Sequence, residues 1–294
     1  MSSIKSKNVS REDKNVIQGG VLYLVATPIG NLSDISERAL KTLNEVDLIA
    51  AEDTRNTGKL LACYGISKPM ISYFEHNKRE RGIEIVSRLR EGLSCALVTD
   101  AGTPAISDPG EDLVRLCAEE GIVVTSIPGC SAVVNALALS ALPTGRFCFE
   151  GFLSTNKGSR MERLNEIKND PRTTVFYEAP HKLKKTLCDI FEVFGERKIA
   201  LCRELTKINE EILRTTLSGA ISYYEDKEPR GEFVLVIEGA SEADIINDAF
   251  WASMTIEAHF EHYVALGYSK MAAIKAVAKD RGVPKNEIYK VINQ

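Results

Sequence analysis

Short apolar runs alternate with amphipathic stretches along the first 130 residues of the chain. The apolar runs have the length of buried strands, and the stretches between them have helical periodicity. Strands are predicted at 21–26, 46–51, 94–99 and 122–127. Helices are predicted near 34–44, 55–64, 79–91 and 110–120, the first of them behind an acidic capping box at 34–37. This alternation predicts an α/β sheet covered by helices.

The second half of the chain alternates less regularly. It opens with a helix of small apolar residues, which Ser131 is suited to cap. Strands are predicted at 146–152, 173–178, 198–203 and 233–238, helices at 157–169 and 181–194, and a hairpin-like segment near 212–217. We expect a mixed or antiparallel sheet here.

These patterns divide the chain into four segments. We expect a polar, disordered tail at 1–19, an N-terminal α/β domain at 20–129, a C-terminal α/β domain at 130–240 and a helical module at 241–294. The module ends in two helices around a Gly-Val-Pro turn, at helix-turn-helix spacing. Six basic and two acidic side chains fall between 268 and 294, so both an RNA-docking appendage and a small packing module remain open.

Proline and glycine interrupt the chain directly after three predicted strands, at 27–31, at 102–110 and at 128–129. Ligands of α/β sheets bind at such strand ends, so three turns of this kind predict one pocket built largely from backbone. Each turn alone would also suit an ordinary strand-to-helix connection. Neither a Walker loop nor a G-x-G-x-x-G fingerprint is present.

Composition narrows the class of protein. The 294 residues are 44% hydrophobic, and no run of about eighteen apolar residues predicts a membrane helix. The first nineteen residues lack an apolar signal core. Seven scattered cysteines without a C-x-x-C pair indicate reduced thiols, a cytoplasmic location and no metal site. The net charge of −4 argues against indiscriminate nucleic-acid binding.

Four motifs together resemble one known family. They read V-A-T-P-I-G-N-L-S-D-I-S from Val25, A-E-D-T-R from Ala51, V-T-D-A-G-T-P-A-I-S-D-P-G from Val98 and P-G-C-S-A from Pro128. The family is the tetrapyrrole-methylase superfamily, and within it the chain resembles the 16S ribosomal RNA cytidine 2′-O-methyltransferases, from about residue 20 to 239. Tetrapyrrole enzymes usually carry a G-D-P-like turn, whereas Gly-Thr-Pro at 102–104 is similar to the ribosomal branch.

This resemblance implies a fold and an activity. Two α/β domains would enclose S-adenosylmethionine in the cleft between them, and the helical module would follow. The enzyme would methylate the ribose 2′-hydroxyl of a cytidine in the decoding region of 16S rRNA, within the assembled small ribosomal subunit, and would be a homodimer without membrane attachment. A methylase of a small tetrapyrrole or corrin and a non-catalytic nucleic-acid-binding protein are the alternatives.

The resemblance also implies site residues. Those expected to bind the cofactor are Pro28, Ile29, Asp100, Ala101, Gly102, Thr103, Ala105, Ile106, Ser131, Ala132, Tyr177, Leu205 and Gly231.

A ribose hydroxyl is a poor nucleophile at neutral pH, so a nearby base would help the transfer. The candidates are His76, Glu75, Asp100 and Glu178, with Arg55 as electrostatic support. His76 is favoured because imidazole titrates near neutral pH. Alignment of the reactants without any base also remains open. The segment 52–55 could equally serve as a helix N-cap, through Asp53 or Thr54.

Overall fold

Two five-stranded sheets with helices packed against them form the body of the protein. The computed structural model describes residues 16–293, so most of the predicted tail at 1–19 lies outside the described residues. None of the helices within the described range is long and apolar enough to cross a membrane. The α/β class predicted from the alternating pattern is confirmed.

The N-terminal sheet is entirely parallel, in the order β3-β2-β4-β1-β5. Its strands are β1 Val21–Val25, β2 Leu48–Ala51, β3 Met70–Ser72, β4 Cys95–Val98 and β5 Val123–Ile127. The covering helices are α1 Glu37–Glu45, α2 Thr54–Cys63, α3 Lys78–Arg90 and α4 Gly110–Glu119. β2 and β4 are buried along their whole length, as uninterrupted apolar runs in a parallel sheet should be.

Two details of this half differ from the sequence prediction. The first helix begins at Glu37 rather than near residue 34, because Ser36 is the N-cap and accepts a hydrogen bond from Ala39 N at 3.1 Å. Residues Leu32–Asp34 form a separate 3-10 turn, so the predicted capping box at 34–37 was wrong. A short strand was expected before Tyr73, but no bounds were predicted for β3, because only three residues pair there, too few for a periodic signal.

The C-terminal sheet is mixed, as predicted, in the order β6-β7-β10-β8-β9. β6 and β7 are parallel and the remaining pairs antiparallel. Its elements are α5 Ala132–Leu139, β6 Phe147–Phe152, α6 Lys157–Ile167, β7 Thr173–Glu178, α7 Pro180–Phe194, β8 Lys198–Arg203, β9 Glu211–Thr216, α8 Leu217–Tyr224 and β10 Phe233–Ile237. The hairpin-like segment is β9 paired with β8, and α8 was not predicted.

Four helices complete the described chain: α9 Glu242–Asp248, α10 Ile256–Ala265, α11 Lys270–Asp280 and α12 Lys285–Ile292. The last three pack around a small apolar core that includes Phe260, Ile274, Val277 and Ile288. α11 and α12 flank the predicted Gly-Val-Pro turn. The module therefore has a core of its own, and Asp248 of α9 pairs with Lys168 at 2.5 Å, which connects it to the C-terminal end of α6.

A buried histidine lies at the base of this module. The ring of His259 is fully buried and stacks on Trp251, with centroids 5.4 Å apart. Arg281 Nε donates to His259 Nδ1 at 3.2 Å, and His259 Nε2 lies 3.2 Å from Asp280 Oδ2. Burial and the neighbouring Arg281 lower the pKa of His259, against the opposing effect of Asp280.

We expect the module to lose stability in mild acid. A histidine whose pKa is lowered by folding stabilises the folded state fully above about pH 6.5 and loses that contribution as the pH falls toward its folded pKa. Trp251 is the sole tryptophan, so urea unfolding followed by its fluorescence reports on the module. The His259→Phe variant should show a flatter pH dependence, whereas His76→Ala should match the unaltered protein. Equal pH dependence in all three proteins would refute this account.

Candidate functional site

The three proline- and glycine-rich turns meet at one edge of the N-terminal sheet. Thr27 N donates to Gly102 O at 2.9 Å and Gly102 N donates to Thr27 O at 3.1 Å, which joins the turns after β1 and β4. Thr103 Oγ1 donates to Cys130 O at 2.9 Å, which joins the turn after β4 to the one after β5. Because β4, β1 and β5 are parallel neighbours, their carboxyl ends share this edge.

Glycine is required where these turns touch. Gly102 has a φ of +87°, and a Cβ there would lie 3.3 Å from Ile29 Cγ2. A Cβ on Gly129 would lie 2.8 Å from the Cβ of Ala26, closer than such atoms approach in proteins. The glycines therefore permit a packing of turns that a side chain would separate.

A cavity of about 480 Å³ lies between these turns and the C-terminal sheet. Ligand sites commonly have volumes of about 300–1,000 Å³, so this one suits a small organic molecule. The N-terminal domain and the start of α5 contribute Ile29, Glu52, Thr99, Ala101, Gly102, Thr103, Ile106, Ser107, Asp108, Ser131 and Ala132. The C-terminal sheet and its loops contribute Phe152, Tyr177, Glu178, Ala179, Pro180, Cys202, Leu205, Lys207, Glu232, Phe233 and Val234.

Two apolar residues of the wall lie between residues in left-handed backbone conformations. Ile106 follows Ala105 (φ +66°) and precedes Ser107 (φ +63°). Leu205 lies between Glu204 and Thr206 in the same way, with φ of +51° and +66°. Left-handed backbone costs a residue with a side chain free energy, and such residues concentrate at binding sites.

Asp108 holds the first of these strained turns. Its carboxylate accepts hydrogen bonds from the backbone N–H groups of Ala105 at 3.0 Å, Ile106 at 3.2 Å and Gly110 at 2.7 Å. A side chain that binds three N–H groups fixes the turn in one conformation. Ile106 is therefore presented to the cavity by a turn that Asp108 stabilises.

The charged side chains in the wall are mostly acidic. Glu52, Asp108, Glu178 and Glu232 line the cavity together with a single ammonium group, that of Lys207. An acidic wall of this kind favours a cationic ligand.

Most of these charges are already held by partners. Lys207 Nζ contacts Glu204 at 2.8 Å and Glu232 at 3.0 Å. Burial lowers the pKa of Lys207, but the hydrogen bonds to both glutamates outweigh it and raise the pKa above its usual value. Glu178 is buried, accepts from Thr186 Oγ1 at 2.5 Å and pairs with Lys182 Nζ at 2.9 Å. These carboxylates are thus oriented by the fold.

The structure brings nine of the predicted cofactor residues into this cavity: Ile29, Ala101, Gly102, Thr103, Ile106, Ser131, Ala132, Tyr177 and Leu205. Pro28 and Asp100 line a smaller, adjoining pocket instead. Ala105 and Gly231 line neither space. Gly231 lies beneath Glu204, whose Cγ would be 2.4 Å from an added Cβ. The cofactor role of the thirteen residues stays a prediction.

Among the candidates for the base and its support, Glu178 lines the cavity and Asp100 lines the smaller pocket, whereas Arg55, Glu75 and His76 lie outside both. Arg55 is mostly exposed and pairs with Asp53 at 2.9 Å, and its hydrogen bonds lower the pKa of Asp53 to about 2. Glu75 pairs with Lys78 at 2.7 Å. His76 is exposed, with its ring 6.0 Å from that of Phe74. Neither described pocket is lined by any of the three, and their catalytic role stays a prediction.

The cap alternative for the segment 52–55 is confirmed. Asp53 is the N-cap of α2 and accepts from Arg55 N at 2.8 Å. Glu52 instead faces the cavity and accepts a hydrogen bond from Thr99 Oγ1 at 2.8 Å. The helix cap, Asp53, and the cavity residue, Glu52, are therefore neighbours in the sequence.

Several wall residues were not foreseen from the sequence. Asp108 could have been found, because an aspartate before Pro-Gly at a helix start is a typical N-terminal turn residue. Phe152 and Lys207 carry no local signal, since they reach the cavity only through the packing of one domain on the other. Within residues 16–293 no group of three or more His, Cys, Asp or Glu side chains is positioned to hold a metal ion.

Comparison with known proteins places the chain in a family. Residues 21–221 match the family of Tetrapyrrole (Corrin/Porphyrin) Methylases. The chain belongs to the tetrapyrrole methylase family. A relative from Halalkalibacterium halodurans, named ribosomal RNA small subunit methyltransferase I, is 49% identical over 284 residues, which are 97% of this chain and 96% of the relative.

Other family members bearing that name differ in how much of the chain they match. The one from Bacillus subtilis is 45% identical and covers 92% of this chain and 93% of its own length. The one from Thermotoga maritima is 50% identical over 220 residues, which are 99% of its length but only 75% of this chain. A family member can therefore lack a quarter of the length seen here.

Solved structures of the family share the fold. A cobalt precorrin-4 methyltransferase superposes with a TM-score of 0.56 at 18% identity, covering 79% of this chain and 98% of its own. A uroporphyrin-III C-methyl transferase from Thermus thermophilus, complexed with S-adenyl homocysteine, gives 0.53 at 17% identity, covering 74% and 96%. At these identities the likeness concerns the fold alone.

We expect Gly30→Ala to weaken binding of S-adenosylmethionine, the cofactor that the sequence predicts. A Cβ at Gly30 would lie 2.3 Å from Lys207 Cγ and 3.1 Å from Leu205 O, so the turn that carries both residues would have to shift in the cavity wall. The expected loss of affinity is about tenfold, or about 1.4 kcal/mol, by isothermal titration calorimetry. Gly145→Ala is the control, because no atom lies within 4 Å of its added Cβ. Unchanged affinity in Gly30→Ala would show that the cavity does not depend on this contact.

Proposed function

We propose that this protein transfers a methyl group from S-adenosylmethionine to RNA of the small ribosomal subunit. The observation that carries the proposal is the near full-length identity to relatives named for that activity, 49% over 97% of this chain in one case and 45% over 92% in another. The cavity between the domains adds independent support, because its position and chemistry suit such a cofactor.

The chemistry of the cavity wall fits S-adenosylmethionine. Four lining carboxylates and one ammonium favour a ligand that carries a sulfonium and an amino group. Ile106, Leu205 and Tyr177 supply apolar surface of the kind that an adenine ring covers. Ser131 and Ala132 lie at the N-terminus of α5, where backbone N–H groups without helical partners suit a carboxylate or a ring nitrogen.

We assign the acceptor more finely from the sequence motifs. The acceptor is the ribose 2′-hydroxyl of a cytidine in the decoding region of 16S rRNA, presented by the assembled small subunit. The Gly-Thr-Pro turn at 102–104 supports the ribosomal assignment over a tetrapyrrole substrate. The net charge of −4 supports recognition of a shaped particle over tight binding to any RNA. A cytoplasmic homodimer fits this role.

The protein's own contribution to the reaction is placement. When bound, the cofactor supplies a methyl group, which the 2′-oxygen takes as the carbon–sulfur electron pair returns to sulfur and the hydroxyl proton leaves to solvent. Thr27 and Gly102 fix the turns that form the floor, and Asp108 fixes the turn that carries Ile106. Bringing two reactants into one aligned assembly supplies much of a methyl-transfer rate.

We expect His76→Ala to keep kcat within about tenfold of the unaltered enzyme, because a general base contributes about 10²–10⁴-fold and His76 lines neither pocket. Methyl transfer to small subunits, measured from pH 6 to about pH 9, tests this. The variant should keep the pH profile of the unaltered enzyme. A hundredfold loss of kcat with unchanged affinity for S-adenosylmethionine would instead establish the imidazole as the base.

The activity itself is tested with isolated small subunits. Particles from cells lacking this protein should accept label from methyl-labelled S-adenosylmethionine, and mass spectrometry should find one new ribose methyl group on a cytidine. Uroporphyrinogen and corrinoid acceptors serve as controls and should stay unlabelled. Label in the small molecules alone would overturn the ribosomal assignment. Failure of the protein to bind S-adenosylmethionine would overturn its assignment as a methyltransferase.

A further inference from the structure

A second, smaller pocket adjoins the cofactor cavity on the N-terminal domain. It has a volume of about 180 Å³ and is lined by Pro28, Gly30, Leu32, Asn56, Thr57, Leu60, Thr99 and Asp100. Thr99 lines both spaces, and Ile29 of the cavity lies between Pro28 and Gly30 of the pocket. A ligand in this pocket would therefore border the cofactor, which is the position that an acceptor must occupy.

The size of the pocket selects among acceptors. Its volume is well below the range of about 300–1,000 Å³ that drug-sized ligands fill, so a tetrapyrrole does not fit inside. A single flat ring does. Enzymes that modify a base commonly swing its nucleotide out of the stack and enclose the base in a close-fitting pocket. The same exposure would bring the ribose of that nucleotide to the cofactor.

The walls match a flat ring with one polar edge. Pro28, Leu32 and Leu60 provide apolar surface against which the faces of a ring can pack. Asn56 and Asp100 provide the polar edge, and Asn56 Nδ2 donates to Asp100 Oδ2 at 3.3 Å. This hydrogen bond orients the carboxylate and leaves its Oδ1 as an acceptor. Asn56 keeps its second N–H as a donor.

A hydrogen-bond acceptor beside a hydrogen-bond donor in the pocket distinguishes cytosine from uracil. The Watson–Crick edge of cytosine carries the N4 amino donor next to the N3 acceptor, which complements a carboxylate beside an amide N–H. Uracil presents the O4 acceptor next to the N3 donor, so it would place an oxygen against the Asp100 carboxylate. Asn56 and Asp100 are exposed in the free protein, and a base that enters the pocket would cover both. The wrong base would then leave these covered polar groups unpaired, which disfavours its binding.

We propose that the pocket of Pro28, Leu60, Asn56 and Asp100 holds the cytosine base of the acceptor nucleotide, with Asp100 accepting from N4 and Asn56 donating to N3. The inference rests on the proposed methyl transfer to RNA, and it removes Asp100 from the predicted cofactor contacts. Asp100 and Asn56 determine which base is accepted, and the cavity beyond Thr99 holds the methyl donor.

The test compares Asp100→Asn with the unaltered full-length protein on two acceptors. These are small subunits reconstituted in vitro with cytidine or with uridine at the methylated position. The unaltered enzyme should prefer cytidine in kcat/KM by about 100-fold or more. Asp100→Asn should lose at least about tenfold on cytidine and narrow the preference to below about tenfold, because an amide can donate to uracil O4. Its affinity for S-adenosylmethionine should stay within about threefold.

Two further variants guard against a folding defect. Leu60→Phe narrows the pocket from α2 without touching Asp100, and it should raise KM for small subunits while leaving affinity for S-adenosylmethionine unchanged. Glu111→Gln changes an exposed carboxylate of α4 outside both pockets and should behave like the unaltered enzyme.

The possible outcomes separate this inference from the proposed function. If the unaltered protein methylates cytidine but Asp100→Asn keeps its preference for cytidine, the base pocket is refuted and the enzyme stands. A tenfold or greater loss of S-adenosylmethionine affinity in a folded Asp100→Asn protein would return Asp100 to the cofactor site and also refute the pocket. If the unaltered protein binds S-adenosylmethionine but methylates no small subunit, the proposed acceptor fails and the pocket inference fails with it.

Discussion

Two backbone hydrogen bonds between Thr27 and Gly102 hold the candidate site together. They fasten the turn after β1 to the turn after β4, and Thr27 Oγ1 adds a contact to Thr99 O at 3.3 Å. The pairing needs the left-handed φ of Gly102, which a residue with a Cβ adopts only at a cost. Because Gly102 is fixed in place, the residues before and after it in the chain can line different pockets. Asp100 faces the small pocket, whereas Ile106 faces the large cavity.

The large cavity also depends on how closely the two domains approach. Gly30 lies against Lys207, and Gly151, at a bulge in β6, lies against Ser107. Both contacts cross from one domain to the other, and in both a glycine on one side makes room for a side chain on the other. The acidic wall is assembled by the same approach, since Glu52 and Asp108 come from one domain and Glu178 and Glu232 from the other. The negative charge of the cavity wall therefore depends on both domains being packed together.

The parts of this structure that could be predicted from sequence are those that local physics determines. Uninterrupted apolar runs marked β2 and β4, and Ser131 marked the start of α5. The Gly-Pro turns were found because strand ends need such residues, and the family motifs then indicated which turns belong together. The bounds of β3 could not be predicted, because three residues carry no period. Lys207 was missed because its place in the wall depends on a domain contact far away in sequence.

Backbone strain in the cavity wall is a physical argument that the cavity is a binding site. Ala105, Ser107, Glu204 and Thr206 each hold a left-handed conformation that costs about 1–3 kcal/mol. Burial of Leu205 in the apolar cluster of the C-terminal sheet, where it is 6% exposed, offsets part of this free-energy cost. Ile106 offers no such compensation, since it is 53% exposed. A strained turn, held by three hydrogen bonds to Asp108 and presenting an apolar side chain to a cavity, gains stability when a ligand covers that side chain.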